Sequence, residues 1–386
     1  MRAMLSDTDF IDSLAARIRA AAAAATPLRL RGGGSKDFYG QSLQGDILDM
    51  TPFAGVISYE PSELVVTVRA GTPLAELESL LAAQGQCLAF EPPHFGPHAT
   101  VGGMVASGLS GPARASVGAV RDYLLGVKLL NGQGECLTFG GQVMKNVAGY
   151  DVSRLMAGAL GTLGVLLEVS LKVLPVAPAE VTLQCRLPQQ KALDLLNRWG
   201  GQPLPLNASC WVHDTTASPA QDLLFVRLRG AVAAVEAACP RMVDDVQALG
   251  GEAVRMDNAQ ASADWAACRE QTLPFFLQPP SPEDCLWRLS VAQTAPALAL
   301  PNAQLIEWHG ALRWLWAPAS AAAHLRAAAQ KAGGHATLFR RAAMGTAQDV
   351  AVVSPLAPVQ RRIQRELKKQ FDPAGVLNPG RLFVGW

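Results

Sequence analysis

Three glycine-rich runs fall within the first 175 residues of this 386-residue chain. They are Gly32-Gly33-Gly34-Ser35, then Thr100-Val101-Gly102-Gly103-Met104, then Gly158-Ala159-Leu160-Gly161-Thr162-Leu163-Gly164-Val165. Glycine brings no side chain to a core and costs conformational entropy on folding, so repeated runs need a reason. What glycine gives is free access to φ > 0 and close approach of the backbone to a neighbour. A pyrophosphate needs that: several N–H donors aimed at one place, with no side chains in the way. Any single run is also compatible with a plain turn, but three in one region are hard to explain as independent turns. The pattern is neither G-x-G-x-x-G nor a Walker loop, because the required spacings and the Lys-Ser/Thr pair are missing.

Composition narrows the remaining classes. The length exceeds the usual limit of a single core, so two domains are expected. Hydrophobic residues at 49% and charged residues at 17% support a sizeable core and argue against disorder. Lys plus Arg total 33 against 32 for Asp plus Glu, which gives no electrostatic case for nucleic acid. The seven cysteines are never closer than 17 residues, so the close pairs that nucleate zinc and iron–sulfur sites are lacking. Reduced thiols and a cytoplasmic location are the expectation. No apolar stretch is long enough to span a bilayer, and Ile11, Leu14 and Ile18 mark an amphipathic surface helix ended by Pro27.

The chain changes texture along its length. Up to about residue 175 it reads as strands, turns and short helices. Thr72-Pro73 opens a helix with Leu74, Leu77 and Leu81 on one face, Thr72 serving as its cap. Asn131-Gly132-Gln133-Gly134 joins two strands as a hairpin. Beyond Pro175 glycine thins, and six of the eight tryptophans fall between Trp211 and Trp316, as in a second domain of antiparallel strands and helices. Near the end, Leu356, Val359, Ile363 and Leu367 form an apolar seam among Arg361, Arg362, Arg365, Lys368 and Lys369, a pattern that fits a solvated basic face.

Taken in order, GGGS, TVGGM, GYDVSRL, GALGTLGVLLEVSLKVLP and FDPAGVLNPGRLF resemble the FAD-binding domain of the vanillyl-alcohol oxidase family, of para-cresol methylhydroxylase type. Finer details, among them EPPHFGPHATVGGMVASGLSGP, LPFF, GALRWL and GGHAT, are similar to the FAD-binding subunits of bacterial glycolate oxidase complexes. The resemblance implies an α+β fold: a two-lobed FAD-binding domain with a smaller antiparallel α+β cap domain. Residues 1–175 would bind FAD, 176–350 would form the cap, and 351–386 would return to the FAD domain. It also implies that Gly32, Gly33, Gly34 and Ser35 cradle the pyrophosphate. Pro92 belongs to the same set, while Thr100, Gly102, Gly103 and Met104 line pyrophosphate and ribityl. Gly161, Thr162, Gly164 and Val165 contact flavin or adenine, and Asn378 sits near the ring. Where many members carry a flavin-linking histidine, Ser35-Lys36 follows here, so noncovalent FAD is expected.

Oxidation of a 2-hydroxy acid requires a cation for the carboxylate, a base for the hydroxyl proton and a hydride acceptor. The closely spaced histidines and Gly-Asp-Gly-Asn stretch of metal-bearing relatives are missing from this sequence, so no metal is expected. His94 and His98 are interrupted by Pro97, which argues against paired ligation. His335 is the base expected from Gly-Gly-His-Ala-Thr, with Arg313 or Arg340 for the carboxylate, against the alternative that it is a satisfied turn residue. Lys145-Asn146 reads either as a phosphate or flavin contact or as surface loop. Two functions stay open. One is a FAD subunit working beside a homologous catalytic FAD subunit and an iron–sulfur subunit, with membrane contact only through those partners. The other is a stand-alone, metal-free 2-hydroxy-acid dehydrogenase. Partner docking is expected at exposed cap tryptophans or at the basic C-terminal helix.

Overall fold

The computed structural model describes residues 6–141, 151–216, 218–344 and 350–385. The chain forms two compact units of α+β structure. Met1–Leu109, Ala119–Pro175 and Ala351–Trp386 make the first, and Ser110–Gly118 with Val176–Val350 make the second. The short segment Ser110–Gly118 therefore leaves the glycine-rich unit, which the sequence did not signal. Lys145 and Asn146 lie outside the described residues.

In the first unit, a five-stranded antiparallel sheet runs in the order Val56–Glu60, Val65–Arg69, Val165–Lys172, Leu124–Leu130, Cys136–Gly140. The hairpin expected at Asn131 is present, and the Asn131 carboxamide oxygen accepts from the amides of Gln133 and Glu135, both at 2.9 Å. A separate parallel pair, Leu28–Arg31 with Asp46–Asp49, carries the first glycine run in its connection. The helix Asp7–Ala24 begins in a Ser6–Asp9 capping box and buries Leu14 and Ile18 against Leu28, Leu48 and Leu167. It ends at Ala25 in a left-handed conformation, two residues before Pro27. Helix Leu74–Ala82 buries Leu74, Leu77 and Leu81. Thr72 does not cap it: its hydroxyl is buried and donates to the Arg69 carbonyl at 2.7 Å.

The C-terminal segment is tied into this unit by backbone and charge. Leu28 N donates to Val376 O at 2.7 Å, and Asn378 N donates to Leu28 O at 2.9 Å. Asp372, almost fully buried, accepts from Leu377 N at 2.8 Å and from Lys368 Nζ at 2.6 Å.

The second unit is an eight-stranded antiparallel sheet. Its order is Glu252–Arg255, Ala179–Arg186, Gln221–Gly230, Leu206–Asp214, Gln304–Glu307, Leu312–Pro318, Asp284–Ser290, His335–Arg340. Strand alternation sends Leu183, Leu224, Val226 and Trp211 to one face, under the helices Gln189–Gly200 and Val232–Ala248. Trp287, Leu289, Leu315 and Leu338 pack further along with helix Ala322–Lys331. The cap tryptophans, expected at the surface for docking, are instead buried, from Trp287 at 0% to Trp316 at 7% exposure. Their indole N–H groups are spent internally, Trp211 on Leu187 O and Trp287 on Ala317 O, which removes the cost of burying them.

Beside this core Trp308 and His309 both adopt positive φ, 53° and 54°, ahead of Gly310 at 100°. His309 holds the turn: its amide and Nδ1 each lie 3.0 Å from Ser209 Oγ, and Nε2 lies 2.9 Å from Ser116 Oγ. Burial lowers the His309 pKa to about 4, from an ordinary value near 6.5.

Two predictions come from these anchors. Asp372→Ala leaves the buried Lys368 ammonium without its carboxylate, and should cost about 3 kcal/mol in urea denaturation; a change below about 0.5 kcal/mol would show the pair to be dispensable. His309 is neutral when folded and protonates more readily when unfolded. Its contribution is therefore complete above pH 6.5 and lost as pH falls toward about 4. Unfolding free energy should drop by up to about 3 kcal/mol across that window. His309→Gln should flatten the slope, and an unchanged slope in the variant would assign it to another group.

Candidate functional site

In the first unit the three glycine runs converge by backbone contact. A Cβ on Gly33 would sit 1.4 Å from the His98 carbonyl oxygen, and one on Gly32 would sit 2.3 Å from Thr100 Oγ1. Only glycine lets the first run lie against the second. The second run is a short helix, Val101–Ser107, capped by Thr100, whose hydroxyl accepts from Gly103 N at 3.2 Å. At its far end Val105 O accepts from Gly158 N at 3.0 Å and Ala106 O from Leu160 N at 2.8 Å, which binds the third run to the second. Asn378 closes the ring. Its Oδ1 accepts from Leu30 N at 2.8 Å, and its Nδ2 donates to Leu160 O at 2.6 Å. Gly161, at φ 71°, has no room for a Cβ beside that carboxamide.

The converged loops border two adjoining spaces that share Arg31, Gly32 and Thr100. One of about 600 Å³ is lined by Gly32, Gly33, Pro97, His98 and Thr100 together with the Ile47–Thr51 stretch. The other, of about 90 Å³, is lined by Gly102, Gly103, Gly161, Gly164, Val165 and Asn378 among others. Among the described residues no acceptor takes the amides of Gly33, Gly34 or Ser35. Three consecutive unpaired N–H groups in a loop with Gly34 at φ 74° form a nest for an anion. The amides of the second run are already engaged: Val101 N on Thr72 O, Gly102 N on Ala70 O. The first run thus supplies donors and the second supplies close approach, and the set fits a dinucleotide pyrophosphate.

Several expected residues stand elsewhere. Met104 and Pro92 are buried and line neither space. Thr162 donates to Ala159 O at 2.7 Å and lines a different cleft, beside Lys368. The Asn378 carboxamide, which lines the smaller space, bonds backbone on both sides and so fixes the loops around it. His94 Nε2 lies 2.9 Å from Glu78 Oε2, and Lys36 Nζ donates to His94 O at 3.0 Å, so this stretch is held as a loop.

The second unit gathers cations on the sheet face opposite its helix-covered core. Arg114 Cζ lies 4.3 Å from the centre of the Trp308 ring and Arg288 Cζ lies 5.0 Å from it. Arg288 also reaches Trp314 at 5.9 Å, and its Nε is buried with no acceptor. Pairing sets Ser290 against His335 and Arg288 against Thr337, so Arg288 and His335 are diagonal neighbours on one face. Burial and the charges of Arg288 and Arg114 lower the His335 pKa, which keeps the imidazole neutral at physiological pH. Arg313 is not part of this cluster. It is completely buried, with Nε donating to Gly310 O at 2.7 Å and Nη2 to Ala295 O at 3.0 Å, a brace for the Trp308–Gly310 turn. Arg340 donates to Gln271 Oε1 at 3.0 Å. Arg114, Arg288 and Trp308 escaped the sequence reading. The available signal was Arg288 itself, a charge placed opposite Cys285, Trp287 and Leu289 in an apolar strand.

Comparison with known proteins agrees with this arrangement. The FAD binding domain family matches residues 10–140. The chain is 43% identical over 381 residues to the glycolate oxidase subunit GlcE of Escherichia coli, covering 99% of both chains. It is 30% identical over 162 residues to a mitochondrial D-lactate dehydrogenase [cytochrome] of Arabidopsis thaliana, a match spanning 41% of this chain and 28% of that one. The Bacillus subtilis glycolate oxidase subunit GlcD is 30% identical over 129 residues, 33% of this chain and 27% of that one. Among solved structures, an alkyldihydroxyacetonephosphate synthase superposes with a TM-score of 0.66 at 15% identity, over 95% of this chain and 75% of that one, and shares the fold. The chain therefore belongs to the family of the glycolate oxidase subunit GlcE and is a FAD-dependent oxidoreductase.

Proposed function

We propose that this chain is the FAD-binding subunit of a complex that oxidises glycolate to glyoxylate together with a homologous catalytic flavoprotein and an iron–sulfur subunit. The observation that carries this reading is its end-to-end identity with the Escherichia coli glycolate oxidase subunit. The likeness to a second glycolate oxidase subunit, GlcD, supports a partner that is itself a flavoprotein. Gly33, Gly34 and Ser35 hold the pyrophosphate through their unpaired amides, while Gly102, Gly161, Gly164 and Val165 line the adjoining space. The FAD is noncovalent, since Ser35 and Lys36 stand where a linking histidine would be needed. The complex works in the cytoplasm and meets the inner membrane only through its partners. Among the described residues no helix is long and apolar enough to cross a membrane.

A second reading rests on the cation cluster of the second unit: this chain oxidises a 2-hydroxy acid, glycolate or D-lactate, by itself. FAD supplies a two-electron acceptor when bound. Arg288, with a buried and unpartnered Nε, and Arg114 carry the charge to hold a carboxylate. His335, whose pKa is lowered by burial and by the neighbouring Arg288 and Arg114 charges, can take the hydroxyl proton. Trp308 and Trp314 give that site apolar walls against which a small acid is oriented.

Anaerobic mixing of the purified chain with glycolate or D-lactate separates the two. The subunit reading expects a yellow protein that dithionite bleaches and these acids do not; prompt bleaching by either acid defeats it. Within the reconstituted complex, Arg288→Lys should leave glycolate turnover within about twofold under the subunit reading. Under the second it should lower kcat/KM by about 10–100-fold, the loss of one charge-assisted hydrogen bond.

The nest is tested separately. Gly33→Ala forces a Cβ into the His98 carbonyl and should lower the flavin-to-protein ratio at least about tenfold, about 1.4 kcal/mol of affinity. Gly200→Ala, whose Cβ meets nothing closer than 3.7 Å, serves as the control. Full flavin content in the Gly33 variant would remove this loop from the cofactor site.

A further inference from the structure

The C-terminal helix Pro358–Phe371 contributes no fully buried residue of its own. Its last turn is held by Lys368 Nζ, which donates to the carbonyl oxygens of Thr162 and Leu377, both at 2.8 Å, and by Phe371, whose ring packs edge-on to Phe139. From Pro358 to Glu366 every residue is exposed. A helix of 14 residues is marginal in water, where isolated helices need about 12–15, and helices in proteins are stabilised by covering an apolar face. Here that face is bare. Val359 is 60% exposed and Ile363 is 52% exposed, one turn apart on a single stripe. The seam foreseen in the sequence therefore does not pack inward along its length; Leu356, ahead of the helix, and Leu367 are half-buried, while Val359 and Ile363 are not.

Around the stripe the charge is one-sided, with Arg361, Arg362, Arg365 and Lys369 against Glu366. At the foot of the helix a cleft of about 380 Å³ opens between Gln364, Leu367, the Leu155–Leu163 loop and Phe383, with Arg121 and Arg154 on its wall. Leu155, 40% exposed, extends the apolar surface into this cleft.

We infer that the outer face of this helix and the cleft beside it dock a companion protein subunit, through an apolar helix flanked by acidic side chains. This rests on the reading of the chain as a subunit of an oxidase complex. The charge imbalance selects an acidic occupant, and the aliphatic stripe with a concave cleft alongside matches a helix laid into a groove. A bilayer fits less well. Membrane-surface helices carry a broad apolar face with aromatic anchors, whereas this one offers two aliphatic side chains on its exposed turns and a hollow that a lipid surface would not fill.

The test is co-expression with the companion catalytic flavoprotein and iron–sulfur subunits, followed by size-exclusion chromatography and pull-down at several salt concentrations. The wild-type chain should co-elute. Val359→Glu with Ile363→Glu should weaken association at least tenfold while the isolated variant keeps wild-type flavin content and Tm. Arg361→Glu with Arg362→Glu should weaken it less and reduce its salt dependence. A double variant at Val359 and Ile363 that co-elutes like wild type overturns the docking site and leaves the complex reading standing. A wild-type chain that fails to co-elute overturns both. Sedimentation with phosphatidylglycerol vesicles that is lost in the arginine variants, with co-elution unaffected, assigns the face to a membrane and also overturns the proposal.

Discussion

The first unit depends on backbone packed against backbone where no Cβ can be tolerated. Gly33 lies against the His98 carbonyl and Gly32 against the Thr100 hydroxyl. Gly102 lies against Ala70, and Gly161 against Leu30 and Asn378. Close approach of this kind would leave a core weak, since glycine contributes no apolar area. Its use is to bring loops together without side chains between them, so that peptide groups form the wall. The amides left over at Gly33, Gly34 and Ser35 are unpaired because their loop is curled by Gly34 at positive φ, away from any carbonyl of its own strands. An unpaired N–H is normally a cost; a pyrophosphate converts it into a binding term.

Such a wall needs an external frame, because glycine loops are intrinsically loose. The frame comes from far along the chain. Asn378 spans from Leu30 to Leu160 with a single carboxamide, and it adopts φ 43° to do so. Its own position is set by Asp372, which gathers Val376 N, Leu377 N and the Lys368 ammonium. The 372–378 stretch therefore braces the glycine loops from outside their own sequence. Its motif in the sequence marks a bracket, in which the Asn378 side chain spends one donor and one acceptor position on backbone partners.

How much of this was legible depends on which physical quantity a residue type reports. The glycine convergence could be read because the lack of a Cβ is itself a sequence property, and so could the Asn131 hairpin and the Leu14–Ile18 helix face, which are local. Thr72 misled because a hydroxyl before a helix can cap it or can turn to another carbonyl, and tertiary packing against Gly55 and Arg69 decided. Arg313 misled in the same way. A guanidinium in an aromatic strand looks free to bind an acid, yet the carbonyls of Gly310, in a left-handed turn, and of Ala295 claimed it. The transfer of Ser110–Gly118 to the second unit, which brings Arg114 onto Trp308, is a long-range event with no local period. Exposed cap tryptophans were the expected docking place, and the six between Trp211 and Trp316 are instead buried, each with an internal acceptor for its N–H.

The two units end with opposite chemistries. The first recognises its ligand with neutral backbone dipoles, and its nearby arginines, Arg29 and Arg31, are both committed to Asp37. The second concentrates formal charge, Arg114 and Arg288 about Trp308 with His335 beside them. A cluster of cations on a half-buried sheet face is repulsive by itself and lowers the basicity of the histidine it surrounds. Aromatic faces offset part of that repulsion, because a ring quadrupole attracts both guanidinium groups at once. Neutral donors suit a permanently bound diphosphate, which needs fixed geometry more than charge. Cations held on aromatic faces suit recognition by charge.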